Sequence, residues 1–409
     1  MDGQCGAPLV PGQVPGPLQA HAEGFLAELA RLGYSPRSFA AQLRLLRHLS
    51  GWLAGRGLAT EALTEEMVGA FVAEWRTVTT NMRSKRALVP LLGYLRGLGV
   101  APAVAPAVPA TPAEGLLQRF GSFLSTEKGL APETVRSYVS LVRPFLATHA
   151  ERPGGWASLA ARDVDEFIIA RAAIERPGSV CVRANALRSL LRWMWLEHLV
   201  AASLPDAVGR IAAPSTATFG PVALDTEAVA GLFTALAGGG PGFRRDEAIL
   251  VLLVRLGLRA GEVASLRLED LDWRAGVVRV RGKRGRIDEL PLPADVGAKV
   301  SAYLREGRPS GTGHRVVFLA LDAPHRPITS GAVTSVVVRA RDRAGIDGPG
   351  AAHRLRHTAA CAVLAGGGGL AEVAQLLRHE HPATSARYAR ADLDALAVLA
   401  RPWPAEAVR

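Results

Sequence analysis

The chain has 409 residues, of which 49% are hydrophobic and 21% charged, and its formal net charge is +11. This length allows two or three domains with their own hydrophobic cores, and the composition excludes a largely disordered chain. The longest apolar run ends at Arg255 and is too short for a membrane span, and the first ten residues lack a secretory pattern. Three widely spaced cysteines fit a reducing compartment, so we expect a soluble, cytoplasmic protein.

The excess of basic residues favours a polyanionic partner such as DNA or RNA. However, only four of the 48 basic residues are lysines, and a GC-rich coding sequence would produce the same bias toward arginine. Charge alone therefore leaves nucleic-acid binding and a compositional bias equally open.

Two stretches rich in proline divide the first half of the chain. Residues 1–20 predict a flexible tail, and residues 101–114 predict an extended linker. Short segments on the two sides of this linker resemble each other at a nearly constant offset: residues 33–38 with 129–134, 63–71 with 159–167, and 87–100 with 186–200. This offset predicts a duplicated module of amphipathic helices, over residues 21–100 and 115–208.

The pattern changes over residues 209–409. Residues 244–258 predict a buried helix that Gly257 ends, and residues 259–268 predict a second, shorter helix. Residues 276–293 alternate between apolar and polar side chains, which predicts two strands joined by a turn. The whole chain is therefore predicted to be mainly α with a small β-sheet, an α+β fold.

Four of the ten histidines fall between residues 353 and 381. His353 and His357 are four apart on a predicted helix, a spacing that zinc sites use. Zinc hydrolases of that type also need a glutamate beside the first histidine, and this chain has Arg354 there. We therefore predict neither a metal ion nor a cofactor.

A phosphate site is the stronger interpretation of the same residues. His353 and Arg356 are three apart and project from one helical face, while Arg259 begins another short helix. Guanidinium forks match phosphate oxygens and can stabilise the charge of a pentavalent phosphorane. Tyr388, in the same segment as His379, is the candidate nucleophile, because nearby arginines favour the phenoxide.

Lys283 stands out for a different reason. It lies in an arginine-rich run of a chain that strongly prefers arginine to lysine. A general acid must release a proton near neutral pH, which lysine can be tuned to do and arginine cannot. This supports Lys283 as a proton donor.

Together these motifs resemble those of the tyrosine recombinase (phage integrase) family. Arg259-Ala-Gly-Glu262, Lys283, His353-Arg-Leu-Arg356-His357-Thr358, and His379 with Tyr388 nine residues later occur in family order. The resemblance covers about residues 115–409 and implies SAM-like helical DNA-binding modules followed by a catalytic domain at 209–409. Residues 21–100 lie outside the usual two-domain core. Where the family commonly has Leu-Gly-His, this chain has Arg378, a candidate phosphate contact.

The resemblance also implies a reaction. Tyr388 would attack a scissile phosphodiester of double-stranded DNA, giving a 3′-phosphotyrosine and a free 5′-hydroxyl. Arg259 and Arg356 would hold the non-bridging oxygens, helped by His379.

Proton transfer would fall to two other residues, with His353 as general base and Lys283 as general acid. The covalent link conserves the phosphodiester energy, so neither ATP nor a metal would be needed. The partners implied are DNA target sites, further copies of the chain in a synaptic tetramer, and accessory recombinases.

Two alternatives remain open: a type IB topoisomerase-like enzyme and a non-catalytic DNA-binding accessory protein. Several other features have structural explanations. Glu262 is predicted to orient an arginine, His357 and His381 to pack or form hydrogen bonds, Trp193 and Trp195 to lie in a core, and residues 238–240 and 366–369 to form loops.

Overall fold

A computed structural model describes residues 14–79, 84–104, 109, 111–200, 204–209, 223–238, 240–282, 285–348, 351–381, 384, 385 and 388. The chain divides into two compact units, one formed by residues 1–104 together with 219–409 and the other by residues 105–218. No helix in the described part of the chain is both long enough and apolar enough to cross a lipid bilayer.

The larger unit begins with four helices packed around a leucine-rich core: α1 (Ala22–Arg31), α2 (Pro36–Ala54), α3 (Glu65–Val78) and α4 (Lys85–Gly97). The Ser35 hydroxyl caps α2 by accepting a hydrogen bond from the Ser38 amide, and Pro36 fits the first helical turn. Val14 and Leu18 are buried in the same core. The predicted flexible tail is therefore wrong for residues 14–20, which apolar side chains hold against the helices.

The smaller unit also contains four helices: α5 (Pro112–Thr126), α6 (Pro132–His149), α7 (Ala161–Ala172) and α8 (Pro177–Leu196). Helix α5 begins within the stretch predicted as a linker, because Thr111 caps it and Pro112 fits its first turn. Trp193 is 3% exposed in the core, as predicted, but Trp195 is 43% exposed. The core prediction is wrong for Trp195, since residues two apart on a helix face different directions.

The second part of the larger unit is mainly helical, with α9 (Thr226–Thr234), α10 (Pro241–Leu256), α11 (Ala260–Ser265), α12 (Ala294–Glu306), α13 (Ser330–Arg343), α14 (Ala352–Ala365) and α15 (Leu370–Leu377). Gly257 ends α10 in the left-handed conformation, with φ of 56°, as the sequence predicts. A Cβ atom at this position would lie 2.7 Å from Leu377, so glycine allows α10 to end against α15. Residues 366–369 connect α14 to α15, as predicted.

A three-stranded antiparallel sheet follows α11, in the order β1 (Leu271–Asp272), β2 (Val277–Arg281) and β3 (Ile287–Pro291). The hairpin predicted over residues 276–293 is confirmed, with Val277 paired to Pro291 and Arg281 to Ile287. Val278, Val280 and Leu290 face the core of this part of the unit. The mainly α fold with a small sheet is therefore confirmed.

Helix α10 lies at the centre of this part, packed against α12, α13 and α14. Its buried residues 248–253 are the apolar run that the sequence marks as a buried helix. This packing brings the end of α10, the start of α11, the first turns of α14 and the end of α15 together. The candidate functional residues lie at that junction.

Candidate functional site

Arg356 is the buried cation of the site, with 2% exposure. Its guanidinium donates to the carbonyls of Gly257, at the end of α10, and Leu377, at the end of α15. Carbonyls at helix C-termini lack partners within the helix and carry partial negative charge, so this one cation joins two helix ends. Burial, with the positive charges of Arg259 and Arg378, lowers the pKa of Arg356 to about 10. The group therefore stays charged at neutral pH.

Glu262 is a buried carboxylate on α11. Its Oε2 accepts from the Arg259 backbone N–H at 2.8 Å and from the Arg378 guanidinium at 2.7 Å, and its Oε1 accepts from the Arg259 guanidinium at 2.6 Å. Burial acts to raise the pKa of Glu262, but Arg378 and Arg259 outweigh it and hold the pKa below its ordinary value. The prediction that Glu262 orients an arginine is confirmed.

Arg259 differs from these residues in its exposure. It precedes the first turn of α11, and 43% of its side chain is exposed. Within the described part of the chain, its guanidinium makes one hydrogen bond, to Glu262. The remaining N–H groups of a guanidinium fork are suited to phosphate oxygens.

Arg378 follows α15 in the left-handed conformation, with φ of 54° and ψ of 51°. Its side chain is only 4% exposed and forms a salt bridge with Glu262 at 2.7 Å. It also donates to the Leu376 carbonyl at 2.8 Å. The guanidinium is thus directed to the buried carboxylate of Glu262, and the phosphate contact expected from the sequence stays a prediction.

The histidines and the tyrosine form a second cluster. The Tyr388 hydroxyl and Nδ1 of His357 share a hydrogen bond of 2.7 Å, and the rings of His353 and His357 lie 4.4 Å apart, edge to face. The His379 ring is stacked 6.3 Å from the Tyr388 ring, and its Nδ1 shares a hydrogen bond of 2.7 Å with the Ser385 hydroxyl. The structure thus brings His353, His379 and Tyr388 together.

Tyr388 is 1% exposed and packs with Ala360, Val373 and Leu377. The sequence predicts for His357 a packing or hydrogen-bonding role, which is confirmed, but not that its partner is the candidate nucleophile. The available signal was spacing, since His357 lies one helical turn beyond His353 and on the same face.

A cleft of about 220 Å³ opens beside these residues. Arginine, histidine and acidic side chains line it together with the end of the hairpin: Arg259, Gly282, Arg286, Asp288, Arg378, His379, Glu380, His381 and Thr384. His381 is exposed here and not packed in a core. Lys283 lies outside the described residues, although its neighbour Gly282 is part of the cleft. The described residues contain no group of three histidine, cysteine or acidic side chains that could hold a metal ion.

Comparison with known proteins places this arrangement in a family. Residues 223–394 match the phage integrase family, and residues 117–198 match the phage integrase N-terminal SAM-like domain. The chain is 34% identical over 396 residues to a protein of Sinorhizobium fredii named as an integrase/recombinase, y4rA, and covers 96% of both chains. It is 30% identical to tyrosine recombinase XerD of Mycobacterium tuberculosis over 68% of this chain and 94% of the relative.

Solved structures share the fold at low identity. XerH recombinase bound to a palindromic difH substrate aligns with a TM-score of 0.55 and 16% identity, over 73% of this chain and 98% of that one. A lambda integrase tetramer bound to a Holliday junction aligns with a TM-score of 0.51 and 15% identity, over 77% and 87%.

The family match and the relatives define an enzyme of the recombinase class, and the cluster of arginine, histidine and tyrosine side chains is its candidate site. With a relative 34% identical over nearly its whole length, the chain belongs to the tyrosine recombinase (phage integrase) family. It is a tyrosine-type site-specific DNA recombinase.

Proposed function

We propose that the protein cleaves and rejoins DNA through a 3′-phosphotyrosine intermediate at Tyr388, without ATP or a metal ion. The observation that supports this most is the closeness of the tyrosine to the arginine cluster. Tyr388 lies in the same buried apolar cluster as Leu377, whose carbonyl accepts a hydrogen bond from Arg356. Burial lowers the pKa of Arg356, and Tyr388 acts on that pKa in the opposite direction, as an attracting group.

The arginines would stabilise the charge that develops on the phosphorus oxygens during attack. Arg259 meets the cleft with its exposed guanidinium, and Arg356 supplies a fixed positive charge behind it. His379 helps to hold the non-bridging oxygens. Each such donor is typically worth about 10² to 10³ in rate.

Two residues would move protons in opposite directions. His353 takes the proton of the Tyr388 hydroxyl as the phosphorus–oxygen bond forms, and Lys283 gives a proton to the 5′-oxygen as its bond to phosphorus breaks. Because the new phosphodiester link to tyrosine keeps the bond energy, the reverse reaction rejoins the strand without ATP.

The proposal extends to the assembly. XerH and lambda integrase, which share this fold, are DNA complexes, and one of them is a tetramer on a Holliday junction. We infer that this chain acts on double-stranded target sites in the cytoplasm as a synaptic tetramer, with accessory recombinases as further partners. Helices α2 and α3 begin 96 residues before α6 and α7, which supports a second SAM-like module at residues 21–100 for DNA or partner contact.

A nicked suicide substrate tests the reaction directly. With a chelator present and no ATP, the protein should become covalently linked to the 3′ end of the cleaved strand, and Y388F should form no adduct. Y303F is the matched control, because Tyr303 is buried and its hydroxyl accepts a hydrogen bond from the Leu319 amide. An adduct in Y388F, or a strict need for magnesium, would contradict the proposal.

A further inference from the structure

Arg378, which follows α15, has a left-handed backbone conformation. Left-handed backbone favours glycine, and an arginine there is held at a cost that surrounding contacts must offset. Those contacts are a buried salt bridge with Glu262 and a hydrogen bond to the Leu376 carbonyl. These contacts fix the Arg378 guanidinium beside the Glu262 carboxylate.

The two carboxylate oxygens of Glu262 are divided between Arg378 and Arg259. An arginine fork facing a carboxylate tends to bind both oxygens at once. Here Oε2 is already occupied by the Arg378 guanidinium and the Arg259 backbone N–H. The Arg259 guanidinium is left with Oε1 alone, through a single N–H at 2.6 Å.

We propose that Arg378 is a positioning residue that fixes Arg259 for the scissile phosphate. By holding Oε2 of Glu262, it prevents a two-point pairing between Glu262 and Arg259. The remaining N–H groups of Arg259 stay directed away from the carboxylate, and a second buried cation offsets the charge of Glu262. This inference rests on the proposed function, because it assumes that Arg259 binds the non-bridging oxygens.

R378G is the most informative variant. Glycine suits the left-handed backbone better than arginine, so the change removes the side chain while relieving the local conformation. Thermal stability should fall, because Glu262 loses a buried ionic partner and relief of the backbone offsets only part of that loss. DNA affinity should change less than about threefold. Cleavage of a saturating suicide substrate should slow by about tenfold or more, because Glu262 then competes with phosphate for Arg259.

Three companion variants identify the cause. R378K keeps the charge and should recover part of the rate, which also protects the test if R378G folds poorly. H198G is the matched control for replacing a left-handed residue elsewhere, since His198 has φ of 56°. It should cleave saturated DNA at the wild-type rate. In an E262Q background, adding R378G should cost little further rate, because the two residues act through one contact.

A methylphosphonate at the scissile position separates positioning from a merely structural role. This substrate has no negative non-bridging oxygen, so the deficit of R378G relative to wild type should shrink on it. An equal deficit on both substrates, or a wild-type rate for R378G on normal DNA, would overturn the inference. The proposed function has its own control: if R259A also cleaved normally, Arg259 would have no role at the phosphate, and that proposal would fail instead.

Discussion

The charged residues of the site fall into a buried group and an exposed group. Arg356, Glu262 and Arg378, here called the rear layer, are buried and make hydrogen bonds to helix ends or to one another. Arg259 and His353, the front layer, are exposed. A buried guanidinium that bonds to helix ends stabilises the fold, whereas an exposed one has N–H groups that a ligand can reach, and we propose that both act on the phosphate. Predictions that separate stability from cleavage therefore test this division.

The largest combined effect is expected for R356A in the rear layer. Loss of the guanidinium leaves the carbonyls of Gly257 and Leu377 without their partner and opens a buried space. Unfolding free energy, measured with urea, should fall by about 3 kcal/mol. Single-turnover cleavage should also fall by about 10² to 10³. Wild-type stability would show that the two helix ends do not depend on this residue.

A purely chemical defect is expected for K283R. Arginine keeps the charge but has no dissociable proton, so cleavage of ordinary DNA should slow by about 10² to 10⁴ while binding changes little. A bridging 5′-sulfur leaves without protonation and should restore most of the rate. R259K is the control and should stay slow on that substrate, because its defect is at the non-bridging oxygens. Equal defects of K283R on both substrates would place the general acid elsewhere.

The paired histidines provide a smaller and more discriminating comparison. His357 shares a hydrogen bond of 2.7 Å with the Tyr388 hydroxyl, whereas the His353 side chain is exposed. If His353 is the general base, H353Q should slow cleavage about 10²-fold and H357Q less than tenfold. The opposite order, measured on saturated suicide substrate, would assign the base to His357.

The residue types of the site could be predicted from the sequence, because their chemistry and their spacing along one helix are local properties. His353, Arg356 and His357 share a helical face by spacing alone. The direction of Arg378 could not be predicted, since it depends on a left-handed backbone and a carboxylate 116 positions away in the chain. Val14 and Leu18 were missed because two apolar residues in a Pro/Gly-rich stretch show no helical period, although they are buried.

The smallest effect concerns the pH dependence of stability through Glu262. Its pKa is lowered in the folded state, because Arg378 and Arg259 outweigh burial, which acts to raise it. A lowered acid pKa gives stability that is present above the unfolded value and lost as pH falls through the folded value. The unfolding free energy of the wild type should therefore exceed that of E262Q by a constant amount near neutral pH, and this difference should decline below about pH 4.3. If urea titrations showed that this difference in unfolding free energy grows as the pH falls, the ion pairing of Glu262 would be contradicted.

R259A tests the division between the layers most directly. Glu262 keeps Arg378 and the backbone N–H of residue 259 in this variant, so no buried charge is left alone. Urea unfolding and single-turnover cleavage should be measured on the same preparation. We expect an unfolding free energy within about 1 kcal/mol of wild type and a cleavage rate lower by about 10² to 10³. A stability loss as large as that of R356A, or unchanged cleavage, would contradict it.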